Sequence, residues 1–217
     1  RPDVDRTVLQ EIHACYYGMV SLMDHHIGRI LDALSATQLD RETIVIFTSD
    51  HGDYLGSHKI WGKGLPAYED VQKVPFIVRH PECAQPGARS QALQSVIDIG
   101  VTALAEAGVG PAPGMQGTDQ SATWRGPDRH VRDHALVEFQ PSEGPLMQWT
   151  TVFPEHKLVQ YSHGGYGELY DLRRDPNQAE NLYDREDHAA LRADLIERSC
   201  RAAMQRGGTA RARPAPA

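Results

Sequence analysis

The chain has 217 residues, with 22 Lys+Arg against 29 Asp+Glu and a formal charge of −7, which argues against the basic face that a nucleic-acid binder needs. Apolar residues make up 40% and charged residues 24%, the proportions of a globular protein, and no apolar run approaches the ~18 residues of a membrane span. Cys15, Cys83 and Cys200 are odd in number and far apart, which implies neither a disulfide framework nor a thiolate metal site. The polar start Arg1-Pro2-Asp3-Val4-Asp5 is not a signal peptide. Together these favour the cytoplasm, and the missing initial Met points to part of a longer chain.

Residues 8–34 read as one helix, because Ile12, Tyr16, Met19, Met23, Ile27, Ile30, Leu31 and Leu34 recur at three- and four-residue spacing. His13, Asp24, His25 and His26 lie on or beside that face and read as ordinary helix residues. After a loop at Thr37–Asp40, Ile44-Val45-Ile46-Phe47 is a short, β-branched apolar run. Such a run reads as a strand buried on both faces of a parallel sheet. It ends in Thr48-Ser49-Asp50-His51-Gly52-Asp53, and in open α/β sheets the ligand crevice lies at the carboxyl ends of strands. A glycine-punctuated loop carrying His58, Lys59 and Lys63 follows. Val74-Pro75-Phe76-Ile77-Val78-Arg79 reads as a second buried strand and residues 95–108 as a helix. Residues 108–117, with four glycines and two prolines, read as a linker crossing the surface.

Short strand-like runs then succeed one another: Ala135–Phe139, Met147–Val152, His156–Tyr161 and Glu168–Leu172. Turn residues such as Pro141-Ser142-Glu143-Gly144-Pro145 and Asp175-Pro176-Asn177 separate them, which fits a small antiparallel sheet. Residues 189–205 read as a closing helix, and the Gly/Ala/Arg/Pro tail as disordered. The expected organisation is a distal part of an α/β core at 1–117, a small α+β subdomain at 118–206 and a tail at 207–217.

Asp50 and His51 are the leading candidates for chemistry. Hard divalent cations take carboxylate oxygen, and borderline ones also accept imidazole. Neighbours in a strand point oppositely, so both reach one ion only if the chain leaves the strand, and Gly52 permits that turn. The residues alone leave open an N-cap Asp beside a hydrogen-bonded His. Lys63, thirteen residues after Asp50 and between Gly62 and Gly64, would by itself read as a solvated loop lysine.

The segment T-S-D-H-G-D-Y-L-G-S-H with W-G-K-G, then Y-E-D-V-Q-K-V-P-F-I-V-R at 68–79, resembles the sulfatase family, which belongs with the alkaline phosphatases among metal-dependent ester hydrolases. Y-Y-G-M-V-S-L-M-D-H-H-I-G-R-I-L-D-A-L at 16–34 is similar to the helix preceding that strand in the family, and E-L-Y-D-L-R-R-D-P-N-Q-A-E-N-L at 168–182 to the family's carboxy-terminal signature. The resemblance covers residues 10–200. It implies the carboxy-terminal part of a mixed sheet flanked by helices, followed by a small antiparallel sheet with a closing helix.

The resemblance further implies hydrolysis of small-molecule sulfate monoesters, with phosphonate or phosphate monoesters as the alternative and a truncated non-catalytic protein as a third reading. Asp50 and His51 would bind one divalent metal, calcium or manganese, with His after Asp leaning toward manganese. Lys63 would contact the sulfate or phosphate oxygens. His58 either contacts the leaving group or braces the loop; Asp53 reads as structural, and Trp61 as loop packing or pocket lining. The family's formylglycine nucleophile arises in a C/S-x-P-x-R motif, which none of the three cysteines begins. Ser121-Ala-Thr-Trp-Arg125 matches the spacing alone. The nucleophile and the family's amino-terminal Asp pair are therefore expected upstream, and the segment alone is expected to be inactive.

Overall fold

The computed structural model describes residues 4–141 and 145–207. It opens with α1 (Arg6–Ala36), capped by Asp5, whose side chain accepts from the Thr7 amide at 2.7 Å. That helix is close to the expected one, but its apolar surface splits. Leu9, Tyr16, Ile27, Leu31 and Leu34 are half-buried, whereas Ile12, Met19, Met23 and Ile30 face outward. His13 Nε2, in the first third of the helix, lies 2.9 Å from Leu55 O and ties α1 to the loop beyond β1. Among the described residues no helix is long and apolar enough to cross a membrane.

β1 (Val45–Thr48) pairs with β2 (Phe76–Arg79), Val45 opposite Arg79 and Thr48 opposite Phe76. The pairing is antiparallel, which corrects the reading of β1 as a strand of a parallel sheet. The intervening residues turn the chain back instead of crossing over through a long helix; they hold a single 3₁₀ turn at Ser57–Lys59 and a short helix, α2 (Glu69–Gln72). All four β1 residues are half-buried in this chain, where β2 is the strand beside β1. Apolar runs cannot report strand direction.

α3 (Asp98–Glu106) and α4 (Ser121–Arg125) follow, the second burying Trp124. The Ser-to-Arg spacing at 121–125 is therefore one turn of helix. Four strands come next: β3 (Ala135–Phe139), β4 (Gln148–Val152), β5 (His156–Tyr161) and β6 (Gly167–Asp171), each antiparallel to its neighbour in that order. α5 (Ala189–Gly207) closes the described chain. Of the expected tail at 207–217, Gly207 ends α5, and residues 208–217, like residues 142–144 of the expected turn, lie outside the described residues.

Register divides this second sheet into two unlike faces, because directly opposed residues project to the same side. Leu158 opposes both Thr151 and Leu169. This face packs under α5: Phe153, Leu158, Leu169 and Leu195 form a core, and Thr151 and Gln160 reach Ser199 Oγ at 2.6 and 3.2 Å. The other face carries Gln148, Thr150, Lys157, Glu168 and Tyr170, all buried although mostly polar. It rests on residues 65–72 of the loop between β1 and β2.

Candidate functional site

The site begins where β1 ends. His51 N donates to Asp50 Oδ1 at 2.9 Å, and Ser49 Oγ donates to His51 O at 3.0 Å. This tight turn lets consecutive side chains converge, with Asp50 Oδ2 3.5 Å from His51 Nε2. The hydrogen bond from the His51 amide, above all, holds the Asp50 carboxyl below its ordinary value.

Gly52 is required here for a reason other than turning freedom. Its amide donates to Val71 O at 2.9 Å, and a Cβ built on it would lie 1.9 Å from Asp70 O. Any side chain would push the α2 segment off the end of β1. Gly62 and Gly64, by contrast, do turn the chain, at φ 71° and 151°. Between them Lys63 returns to the strand end, and its Nζ lies 2.7 Å from His51 Nε2. His51 Nδ1 is 2.8 Å from Gly52 O. A carbonyl can only accept, so the Nδ1 proton is directed to it and Nε2 is left as the acceptor facing Lys63.

Asp50, His51 and Lys63, the sequence candidates for metal and anion, therefore come together. They line one end of an open groove of about 2380 Å³ that continues past β2 and residues 85–97 to β3. His58 does not join them. Its ring stacks on Tyr68, centroids 3.7 Å apart and planes within 2°, and its Nε2 is 3.8 Å from Asp70 Oδ2. It is not among the groove-lining residues; this arrangement braces the loop, at a left-handed backbone position of φ 51°. Asp53 Oδ1 accepts from the Leu55 amide at 2.8 Å, and Trp61 packs within 3.2 Å of where Gly56 would carry a Cβ. Both are loop-building residues.

The donor chemistry at Asp50 and His51 fits a divalent cation. One exposed carboxylate and one imidazole nitrogen, its partner nitrogen fixed on a carbonyl, converge on the same place. Two donors are not a complete ligand set, and no cluster of three or more His, Cys, Asp or Glu that could hold an ion occurs among the described residues.

Sequence reasoning missed the groups that hold the lysine loop. Tyr54 OH donates to Pro66 O, Gln148 Nε2 to Leu65 O, and Lys157 Nζ to Ala67 O at 2.8 Å. Burial, and second the nearby Asp70 charge, push the Tyr54 phenol up to about 12. Burial pushes the Lys157 ammonium down, with Glu69 pulling the other way. The signal was present in β5: strand alternation puts Lys157 on the same side as Val159 and Tyr161, a charge beside an apolar and an aromatic residue.

The Sulfatase family pattern matches residues 2–109, and that of N-sulphoglucosamine sulphohydrolase, C-terminal, matches residues 56–205. An arylsulfatase of Clostridium perfringens is 29% identical over 195 residues, 85% of this chain and 38% of that protein. A phosphonate monoester hydrolase from Silicibacter pomeroyi superposes with TM-score 0.81 at 26% identity, over 94% of this chain and 44% of its own. A structure solved in complex with its substrate D-glucosamine-2-N,6-O-disulfate superposes with TM-score 0.79 at 25% identity, over 87% and 40%. The chain thus spans about two fifths of the proteins it matches.

Proposed function

Because the chain belongs to the sulfatase family of the alkaline phosphatase superfamily, we propose that it forms the distal part of a metal-dependent sulfate-ester hydrolase. The observation that supports this best is the convergence of Asp50, His51 and Lys63 at the end of β1, with Lys63 Nζ 2.7 Å from His51 Nε2. Asp50 and His51 would hold the cation, calcium or manganese. When bound, it would supply positive charge that polarises the ester and neutralises its oxygens. Lys63, whose Nζ lies 2.7 Å from His51 Nε2, would turn its ammonium to an anionic ester held beside that cation. There it holds charge that develops on the transferring group. His58 keeps the loop in place through Tyr68 and Asp70. None of the 217 residues begins a C/S-x-P-x-R sequence, so we assign the attacking formylglycine to residues outside this segment.

A phosphonate or phosphate monoester is the second reading, supported by the similarity to the Silicibacter pomeroyi hydrolase. The test is hydrolysis of aryl sulfate, aryl phosphonate ester and aryl phosphate by the complete protein carrying this segment, with and without chelator. Chelator-sensitive turnover is expected, and the preferred ester decides between the two readings. Absence of turnover on all three esters with metal supplied would sink the enzymatic reading. Calorimetric titration of the 217-residue chain with manganese and calcium is expected to show weak binding that Asp50→Ala abolishes; equal binding by the variant would remove Asp50 from the ligand set.

A further inference from the structure

We propose that Lys157 is a positioning residue for Lys63, acting with Gln148 and Gln178: the polar face of the β3–β6 sheet holds the loop from which the ammonium reaches His51. The inference rests on the role given to Lys63 above. Three successive carbonyls carry it. Leu65 O, Pro66 O and Ala67 O each accept from a buried side chain, respectively Gln148, Tyr54 and Lys157. Two of these donors come from β4 and β5, 83 and 90 residues further along the chain.

The next residues are gripped as firmly. Lys157 Nζ is 2.5 Å from Glu69 Oε1, and the Glu69 amide donates to Gln178 Oε1 at 2.6 Å. Gln72 Nε2 donates to Thr150 Oγ1 at 3.3 Å, and Tyr68 lies against Tyr170 with centroids 6.1 Å apart. Tyr68 is also the ring on which His58 stacks. The whole return segment, Leu65 to Gln72, is thus fastened to one face of a sheet whose other face is welded to α5.

Such an anchor is needed because the segment just before it has little stiffness of its own. Gly62 and Gly64 sit at positive φ, and a Cβ on either would meet nothing within 4 Å, so no side chain of their own packs there; the Tyr54 amide donates to Gly62 O at 2.9 Å. Glycine gains its turning freedom at the cost of backbone entropy. A reactive group on such a turn stays within the tolerance of catalysis only if its surroundings are locked. Lys157 suits the task because one ammonium serves a carbonyl and a carboxylate at once, and it is wholly buried, so water does not compete. A Met at this position would keep the volume and lose both contacts.

The test compares wild type, Lys157→Met and Lys157→Arg in the 217-residue chain by amide hydrogen exchange and by nuclear Overhauser contacts between the Lys63 side chain and the His51 ring. In Lys157→Met the amides of Tyr54, Glu69 and Val71, bonded to Gly62 O, Gln178 and Tyr68 O, are expected to exchange at least ~10-fold faster, a local opening rather than a global one. The Lys63–His51 contacts should disappear. Leu158 and Leu169, under α5, should keep their protection, and Lys157→Arg should restore part of the loop's. Unchanged loop exchange and unchanged Lys63–His51 contacts in Lys157→Met overturn the proposal. Equal loss of protection at Leu158 and Leu169 does so too, because Lys157 would then serve the fold at large. If Lys157→Met does not fold, Gln178→Ala, which removes only the acceptor of the Glu69 amide, carries the same expectation and the same refutation. The hydrolytic reading is judged separately: loop loosening in Lys157→Met beside full activity of Lys63→Ala in the complete enzyme would leave the anchor standing and remove the catalytic role.

Discussion

In the complete enzyme that carries this segment, Lys63→Ala is expected to lower kcat/KM for its ester by about 10²–10³, the usual effect of removing one preorganised charge donor. That corresponds to roughly 3–4 kcal/mol of barrier at ~1.4 kcal/mol per decade. The expectation rests on position: Lys63 is aimed at His51 Nε2 from a turn made by two glycines and a loop fastened from behind. Metal content should not fall, since a protonated ammonium is no ligand. Lys63→Arg should recover only part of the rate, because a planar guanidinium spreads its charge over a fork and cannot replace a compact ammonium at the same distance. Steady-state kinetics of the three proteins beside metal analysis of each decides the matter. Near-normal kcat/KM in Lys63→Ala makes the residue a solvated lysine after all. Activity that falls only in step with metal loss makes the loop structural and removes the proposed role.

The largest loss of stability is expected from Asp98→Ala. Asp98 is fully buried at the start of α3 and accepts from the amides of Ser95 and Thr118, both at 2.8 Å, and from Gln120 Nε2 at 3.2 Å. It also pairs with Arg132, whose guanidinium burial pushes down to about 10. Removing the carboxylate strands a largely buried cation and two amides, a change that costs ~3–5 kcal/mol in comparable buried pairs. Asp98→Asn, which keeps one acceptor, should cost less. Denaturant unfolding followed by circular dichroism reads both, and a loss in Asp98→Ala below ~1 kcal/mol, the worth of one ordinary hydrogen bond, would contradict the network as described. The contact also shows why the glycine- and proline-rich residues 108–117 are more than a surface crossing. Their far end is pinned to α3 through Thr118, and a Cβ on Gly117 would lie 2.4 Å from Ile97 O.

Much of the chain was legible because its signals are local. Apolar spacing and turn residues locate α1, β3, β5 and α5 to within a few residues, since helix and strand periodicities are written in consecutive side chains. The sulfatase motifs likewise mark Asp50, His51 and Lys63, which a thirteen-residue interval keeps in one neighbourhood. Other features depend on partners remote in sequence. The antiparallel pairing of β1 and β2 follows from how residues 49–75 fold back. Gly52 is dictated by the approach of Asp70 O, and His58 braces the loop because Tyr68 and Asp70 receive it. The Lys63 loop takes its hold from Gln148, Lys157 and Gln178, up to 109 residues away along the chain. By itself the sequence determined which elements form and which side chains can do chemistry, because propensity and motif spacing act between near neighbours. Only the tertiary structure decided which polar groups are buried together, because burying a lysine or a glutamine is tolerable only where distant carbonyls and carboxylates arrive to meet it.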